Sequence, residues 1–203
     1  MKLYIAQVDE NKKLVVGKVT EVDFSEKVAN VTIEGSVWNK ETQTEDLESL
    51  TISFHNNDKV NMRDYVENAK VEEGKVISAM IYEKDGKITG NSFKYNGVWK
   101  YTTPTGKQNY VFHGVVVNPT VGTTPTGKDY TKFSMAMNPV KDEETQWASI
   151  TCWNNENNTL ADRAKKIFAD HADQKKKAIV VCGNETEYNG RKQYVGYRFD
   201  LLD

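Results

Sequence analysis

The strongest constraint on this chain is that it repeats its own pattern, so its fold must be built from two copies of one unit. Ile52-Ser53-Phe54-His55-Asn56-Asn57 matches Ile150-Thr151-Cys152-Trp153-Asn154-Asn155. Each window reads as a strand ending in a double-Asn turn. A helical pattern follows each: Met62, Tyr65, Val66 and Ala69 in the first half, Leu160, Ala164, Ile167 and Phe168 in the second. Thr159 and Asp162 are spaced as a capping pair for the second helix. Each helix leads into a strand and a hairpin, Lys75 to Tyr82 turning at Asp85-Gly86, and Ala178 to Tyr188 turning at Asn189-Gly190. Asp-Gly and Asn-Gly accept the positive φ that tight hairpins require.

Two longer strands precede each window: Leu14 to Phe24 and Val28 to Trp38, then Tyr110 to Asn118 and Tyr130 to Asn138. Each half therefore reads strand, strand, strand, helix, strand, strand. Five strands with one helix between the third and fourth is the order of an OB-fold barrel. The expected fold is mainly β: two tandem five-stranded OB-fold barrels, a divergent one over 1–100 and a second over 101–203, with the junction near Lys100 to Asn109. One repeat is literal. Thr102-Thr103-Pro104-Thr105-Gly106-Lys107 recurs as Thr123-Thr124-Pro125-Thr126-Gly127-Lys128. Pro-Thr-Gly forms turns. The spacing of a phosphate loop is absent and no helix follows, so nucleotide binding is not expected there.

Trp147-Ala148-Ser149-Ile150-Thr151-Cys152-Trp153 carries the functional signal. At period two, Ala148, Ile150 and Cys152 form a core face, while Trp147, Ser149, Thr151 and Trp153 share the other. Tryptophans beside hydroxyls on an open sheet face suit the stacking of unpaired bases. A strand buried on both faces, or a protein interface, would also present such a pattern. Phe133, Met135 and Met137 share one parity and are expected in the core.

A net charge of −2 excludes a general polycation, so any nucleic-acid contact needs a local basic groove. No apolar run reaches membrane length and the N-terminus has too short an apolar stretch for a signal peptide, so no membrane partner is expected. Cys152 and Cys182 in apolar strands fit a reducing cytoplasm. His55, His113 and His171 show no ligand spacing with the cysteines, so neither a metal nor another cofactor is expected. No nucleophile elbow or catalytic carboxylate arrangement is present, which argues against an enzyme. The runs Lys175-Lys176-Lys177 and Asp142-Glu143-Glu144 read as loops.

In the second half a series of motifs resembles the bacterial and phage single-stranded DNA-binding protein (SSB) family. It runs through Gly114-Val-Val-Val-Asn-Pro119, Thr124-Pro-Thr-Gly-Lys128, Phe133-Ser-Met-Ala-Met-Asn138, Gln146-Trp147, Ile179-Val-Val-Cys-Gly183 and Tyr194-Val-Gly-Tyr-Arg-Phe-Asp200. The first half resembles the family mainly through the second. The resemblance implies an OB-fold that wraps unpaired DNA over aromatics: Trp147, Trp153 and Tyr188 as stacking residues, with Tyr130 a further one by its parity with Lys132. Lys128, Lys132, Arg191 and Lys192 would meet phosphates. The internal alignment puts His55 opposite Trp153 and Ser49 opposite Trp147. Trp38 and Tyr82 are the aromatics left to substitute in the first half, so the second domain should bind more strongly.

Two departures stand out. Glu185 and Glu187 occupy a strand that is usually basic in the family, and recruitment of partners through an acidic-tipped tail, as the family uses, is not expected. The expected function is sequence-nonspecific coating of single-stranded DNA in phage, plasmid or bacterial replication or recombination, by a non-enzymatic cytoplasmic protein. By analogy with two-barrel members, a homodimer is expected. RNA as ligand, and replication or recombination proteins as partners, stay open. The rival readings are an OB-fold protein-interaction module and an accessory subunit of a DNA-processing complex.

Overall fold

In a computed structural model, residues 1–138, 144–156, 158–170 and 176–202 are described, without the side chains of Asn158, Asn184 and Tyr188. Asp142, Glu143, His171 and Lys175 therefore lie outside the described residues. The chain is mainly β and divides into two compact units, Met1–Tyr95 and the described residues from Asn96 on.

The first unit contains β1 (Tyr4–Gln7), β2 (Lys12–Phe24), β3 (Val28–Asn39), β4 (Thr44–His55), α1 (Met62–Asn68), β5 (Val76–Lys84) and β6 (Lys87–Lys94). The second contains β7 (Gly97–Thr102), β8 (Gln108–Thr123), β9 (Asp129–Met137), β10 (Gln146–Asn155), β11 (Asn158–Thr159), α2 (Leu160–Asp170), β12 (Lys177–Tyr188) and β13 (Arg191–Leu201). The pairings repeat. In the first unit they run β2–β3–β4–β6–β5 and return to β2, with β4 and β6 parallel. In the second they run β8–β9–β10–β13–β12 and return to β8, with β10 and β13 parallel. Each unit also gains a leading strand, β1 on β2 and β7 on β8, which the strand pattern did not predict.

The parallel crossing comes at equivalent glycines. Gly90 lies opposite Phe54, and Gly196 opposite Cys152. A Cβ on Gly90 would lie 2.2 Å from the Phe54 ring, and one on Gly196 would lie 3.0 Å from the Cys152 Sγ. The bare backbone lets the final strand close over the core at these points.

Alternation sets the cores. Val31, Ile33, Ile52, Phe54 and Val66 are fully buried in the first unit. In the second, Phe133, Met135, Met137, Ala148, Ile150 and Cys152 are buried as their parity predicts. Phe168 from α2 packs edge-on to Phe133 and Phe199, with centroids 5.4 and 5.7 Å apart. Cys182, in register with Gly196 from the other side, is also buried, and both thiols are free. Burial pushes the Cys152 thiol up to about 12, so it is an inert core residue.

Two local expectations change. Strand β8 does not stop at Asn118 but continues to Thr123. Its register slips between Val117 and Thr120, and this bulge accommodates Pro119, which has no N–H to donate. The cap of α2 is Asn154 and not Thr159: its Oδ1 accepts the amides of Ala161 and Asp162 at 2.9 and 3.2 Å, while Thr159 pairs with β10. Asn56, its counterpart, accepts the Asp64 amide at 3.3 Å. The repeated asparagine is thus a cap supplied from the preceding strand. Asn154→Ala is expected to cost about 1 kcal/mol in thermal unfolding, with Thr159→Ala much closer to neutral; equal losses would reject this assignment.

Candidate nucleic-acid interface

The outer face of β9 and β10 follows from their register. Tyr130 pairs with Trp153, Lys132 with Thr151, Ser134 with Ser149 and Ala136 with Trp147. Beyond β10, Gln193 lies beside Ser149 and Val195 beside Thr151 on β13. All of these positions alternate with buried core residues, so the tryptophans do share an open face with hydroxyls. Trp147 is 62% exposed. Trp153 lies six positions further along β10, which makes a stripe about 20 Å long at strand rise.

The two ends of the stripe differ. At one, the Tyr130 and Trp153 rings meet at 5.4 Å, tilted by 53°. The Lys128 Nζ lies 5.5 Å from the Trp153 ring centroid. At the other, Trp147 lines an open groove with Lys132, Ser149, Arg191, Lys192 and Gln193. The structure thus brings Trp147, Trp153, Tyr130, Lys128, Lys132, Arg191 and Lys192 to one side of the second unit. The side chain of Tyr188 lies outside the described residues.

The acidic strand is partly neutralised. Glu185 accepts the Tyr194 hydroxyl at 2.8 Å and pairs with Lys192 at 3.1 Å. The Tyr194 hydrogen bond, then Lys192, holds the Glu185 carboxyl below the usual carboxylate range. This arrangement softens the repulsion expected from Glu185, and it also engages the Lys192 charge.

The first unit presents no comparable cluster. By the repeated motif, Val28 and His55 stand where Tyr130 and Trp153 do, and Asn30 and Ser53 where Lys132 and Thr151 do. Trp38, 56% exposed, pairs with Glu45 at the far end of the same ladder from His55, about 30 Å away by strand rise. Tyr82 lies on β5, with the Lys12 Nζ 5.6 Å from its ring. These three candidates are not brought together.

Sequence reasoning missed Tyr197 and Lys107. Tyr197 is 39% exposed on β13, and the Lys107 Nζ lies 4.6 Å from its ring centroid. The literal hexapeptide repeat was the available signal: its two lysines each end over an aromatic ring, Lys107 over Tyr197 and Lys128 over the part-buried Trp153.

Among the described residues, no group of His, Cys, Asp and Glu is placed to hold a metal, and no helix is long and apolar enough to cross a membrane. No family model matches the chain, and no curated protein matches it. Among solved structures it is similar to a deletion mutant of the single-stranded DNA-binding protein from Thermus aquaticus, with a TM-score of 0.37 and 13% identity, covering 94% of this chain and 93% of that one. It is also similar to the mitochondrial single-stranded DNA-binding protein Rim1 of S. cerevisiae, with a TM-score of 0.37 and 19% identity, covering 47% of this chain and 96% of that one.

Proposed function

We propose that the second unit binds single-stranded DNA without sequence preference, and that each ring of strand pairings is an OB-fold barrel. Bases stack on Trp147, Trp153 and Tyr130, while Lys128, Lys132 and Arg191 meet phosphates. One observation carries this reading: a stripe of aromatics and hydroxyls on one sheet face, with Trp147 exposed at one end, Trp153 part-buried at the other and cations at both, on a chain of net charge −2. Every base has a π-face, so stacking tolerates any sequence. The protein then coats unpaired DNA in replication or recombination, as a binding protein and not an enzyme. The first unit, with asparagine and histidine in place of lysine and tryptophan, contributes less.

The test is a titration with unstructured oligo-dT, followed by intrinsic tryptophan fluorescence, from low to moderate salt. Expected are quenching and an affinity that falls with salt, by about 0.7 in the log–log slope for each phosphate contacted. Absence of binding at low salt would end this reading and turn the search to protein partners.

A further inference from the structure

The tryptophan stripe leaves two features of the second unit unexplained: the literal hexapeptide repeat and the irregular pairing of β12 with β13. The two hexapeptides form the same turn at either end of β8. In the first copy the Thr103 amide donates to the Lys107 carbonyl at 2.8 Å and the Lys107 amide to the Thr103 Oγ1 at 3.1 Å. In the second the Thr124 amide donates to the Lys128 carbonyl at 2.9 Å and the Lys128 amide to the Thr124 Oγ1 at 3.0 Å. Gly106 and Gly127 take φ values of +81° and +79°, which a side chain would strain. The two turns therefore project their lysines in the same way, Lys128 over Trp153 and Lys107 over Tyr197.

The ring under Lys107 is displayed by a pair of bulges. Val181 pairs with Arg198 and Cys182 with Gly196, leaving Tyr197 unpaired on β13. Cys182 pairs with Gly196 and Asn184 with Val195, leaving Gly183 unpaired on β12. Bulges re-aim side chains, and here the neighbouring position is bare. A Cβ on Gly183 would sit 3.4 Å from the Lys107 Cε and 3.5 Å from the Tyr197 ring. Cys152 and Gly196 are the last paired residues of the two parallel strands, and Trp153 and Tyr197 follow them in sequence; the bulge, not alternation, turns Tyr197 outward, where it is 39% exposed.

We infer that Lys107 and Tyr197 form a second stacking-and-phosphate site, one strand beyond Trp153, for a further nucleotide of the same DNA strand. This rests on the proposed single-strand binding. Without DNA each ammonium rests over its ring. With DNA the base takes the ring and the ammonium moves to the adjacent phosphate, because a base stacked on an aromatic outweighs an exposed cation over it. The path then crosses the sheet from Tyr130 through Trp153 to Tyr197, and both copies of the hexapeptide serve it.

The test measures anisotropy of labelled oligo-dT of increasing length with the full chain, comparing wild type, Tyr197→Leu, Lys107→Gln and the double variant Trp147→Ala/Trp153→Ala. Tyr197→Leu should leave the shortest bound oligomers unchanged and weaken the longer ones roughly tenfold. Lys107→Gln, a surface change, should lower the salt slope for long oligomers by about 0.7. The inference is overturned if Tyr197→Leu matches wild type at every length, or weakens all lengths equally as general damage to the sheet would. An unchanged salt slope in Lys107→Gln removes the phosphate contact. If the wild type binds no oligomer, the proposed function has failed and this site fails with it. If only the tryptophan variant loses binding, the function stands and this site does not.

Discussion

Replacing both Trp147 and Trp153 by alanine should weaken oligo-dT binding at least roughly 30-fold, because two stacked bases at 1–3 kcal/mol each are lost. Anisotropy of a labelled oligomer is the suitable readout, since the substitutions delete two of the four tryptophans. The single variants separate binding from folding. Trp147 is mostly exposed, so its truncation should leave the thermal unfolding midpoint nearly unchanged. Trp153 packs on Tyr130, and its loss also removes an aromatic pair worth about 0.5–1.5 kcal/mol of stability. His55→Ala, at the matching position of the first unit, should change affinity far less. Binding that survives the double substitution would remove the stripe from any role in DNA contact. A His55→Ala loss as large as that of Trp153→Ala would overturn the proposed asymmetry.

The elements were legible because each is written in a strong local code. Period-two alternation placed the core of β9 and β10 correctly, residue by residue, from Phe133 to Met137 and from Ala148 to Cys152. Asp85-Gly86 and Asn189-Gly190 turn with positive φ at all four residues, as hairpins of that type require. The leading strands were missed for a physical reason. β1 has four residues and β7 six, too short to show a period of their own, and each is defined only by its hairpin pairing with the strand that follows.

The site was partly legible for the same reason. Trp147, Trp153, Tyr130 and Lys132 obey one alternation, so their shared face follows from parity. Tyr197 does not, because a bulge breaks the alternation between the core residues Tyr194 and Phe199. Its contact with Lys107 joins a β7–β8 turn to β13, and no local pattern encodes that meeting. The cap from Asn154 was misassigned to Thr159 because the sequence rule looks just before the helix. The fold supplies the oxygen from the end of β10 instead.

The second unit should lose stability steeply in mild acid, because of His113. This histidine on β8 is fully buried, and neither ring nitrogen has a hydrogen-bond partner in the described structure. Burial, and secondarily the charge of Lys177, depresses its pKa from 6.5 to about 3. The folded protein therefore keeps the ring neutral while the unfolded chain protonates it near its ordinary value. A depressed folded pKa gives stability that is complete above about pH 6.5 and is lost as the pH falls towards 3, since the unfolded state binds the proton first. Between pH 7 and 5 the loss from this residue alone is about 2 kcal/mol. Chemical denaturation at those two pH values should display it. His113→Leu should lose that part of the pH dependence and be no less stable at pH 5, because it also removes two unsatisfied buried nitrogens at similar volume. The same drop in the variant as in the wild type would assign the acid sensitivity to other groups.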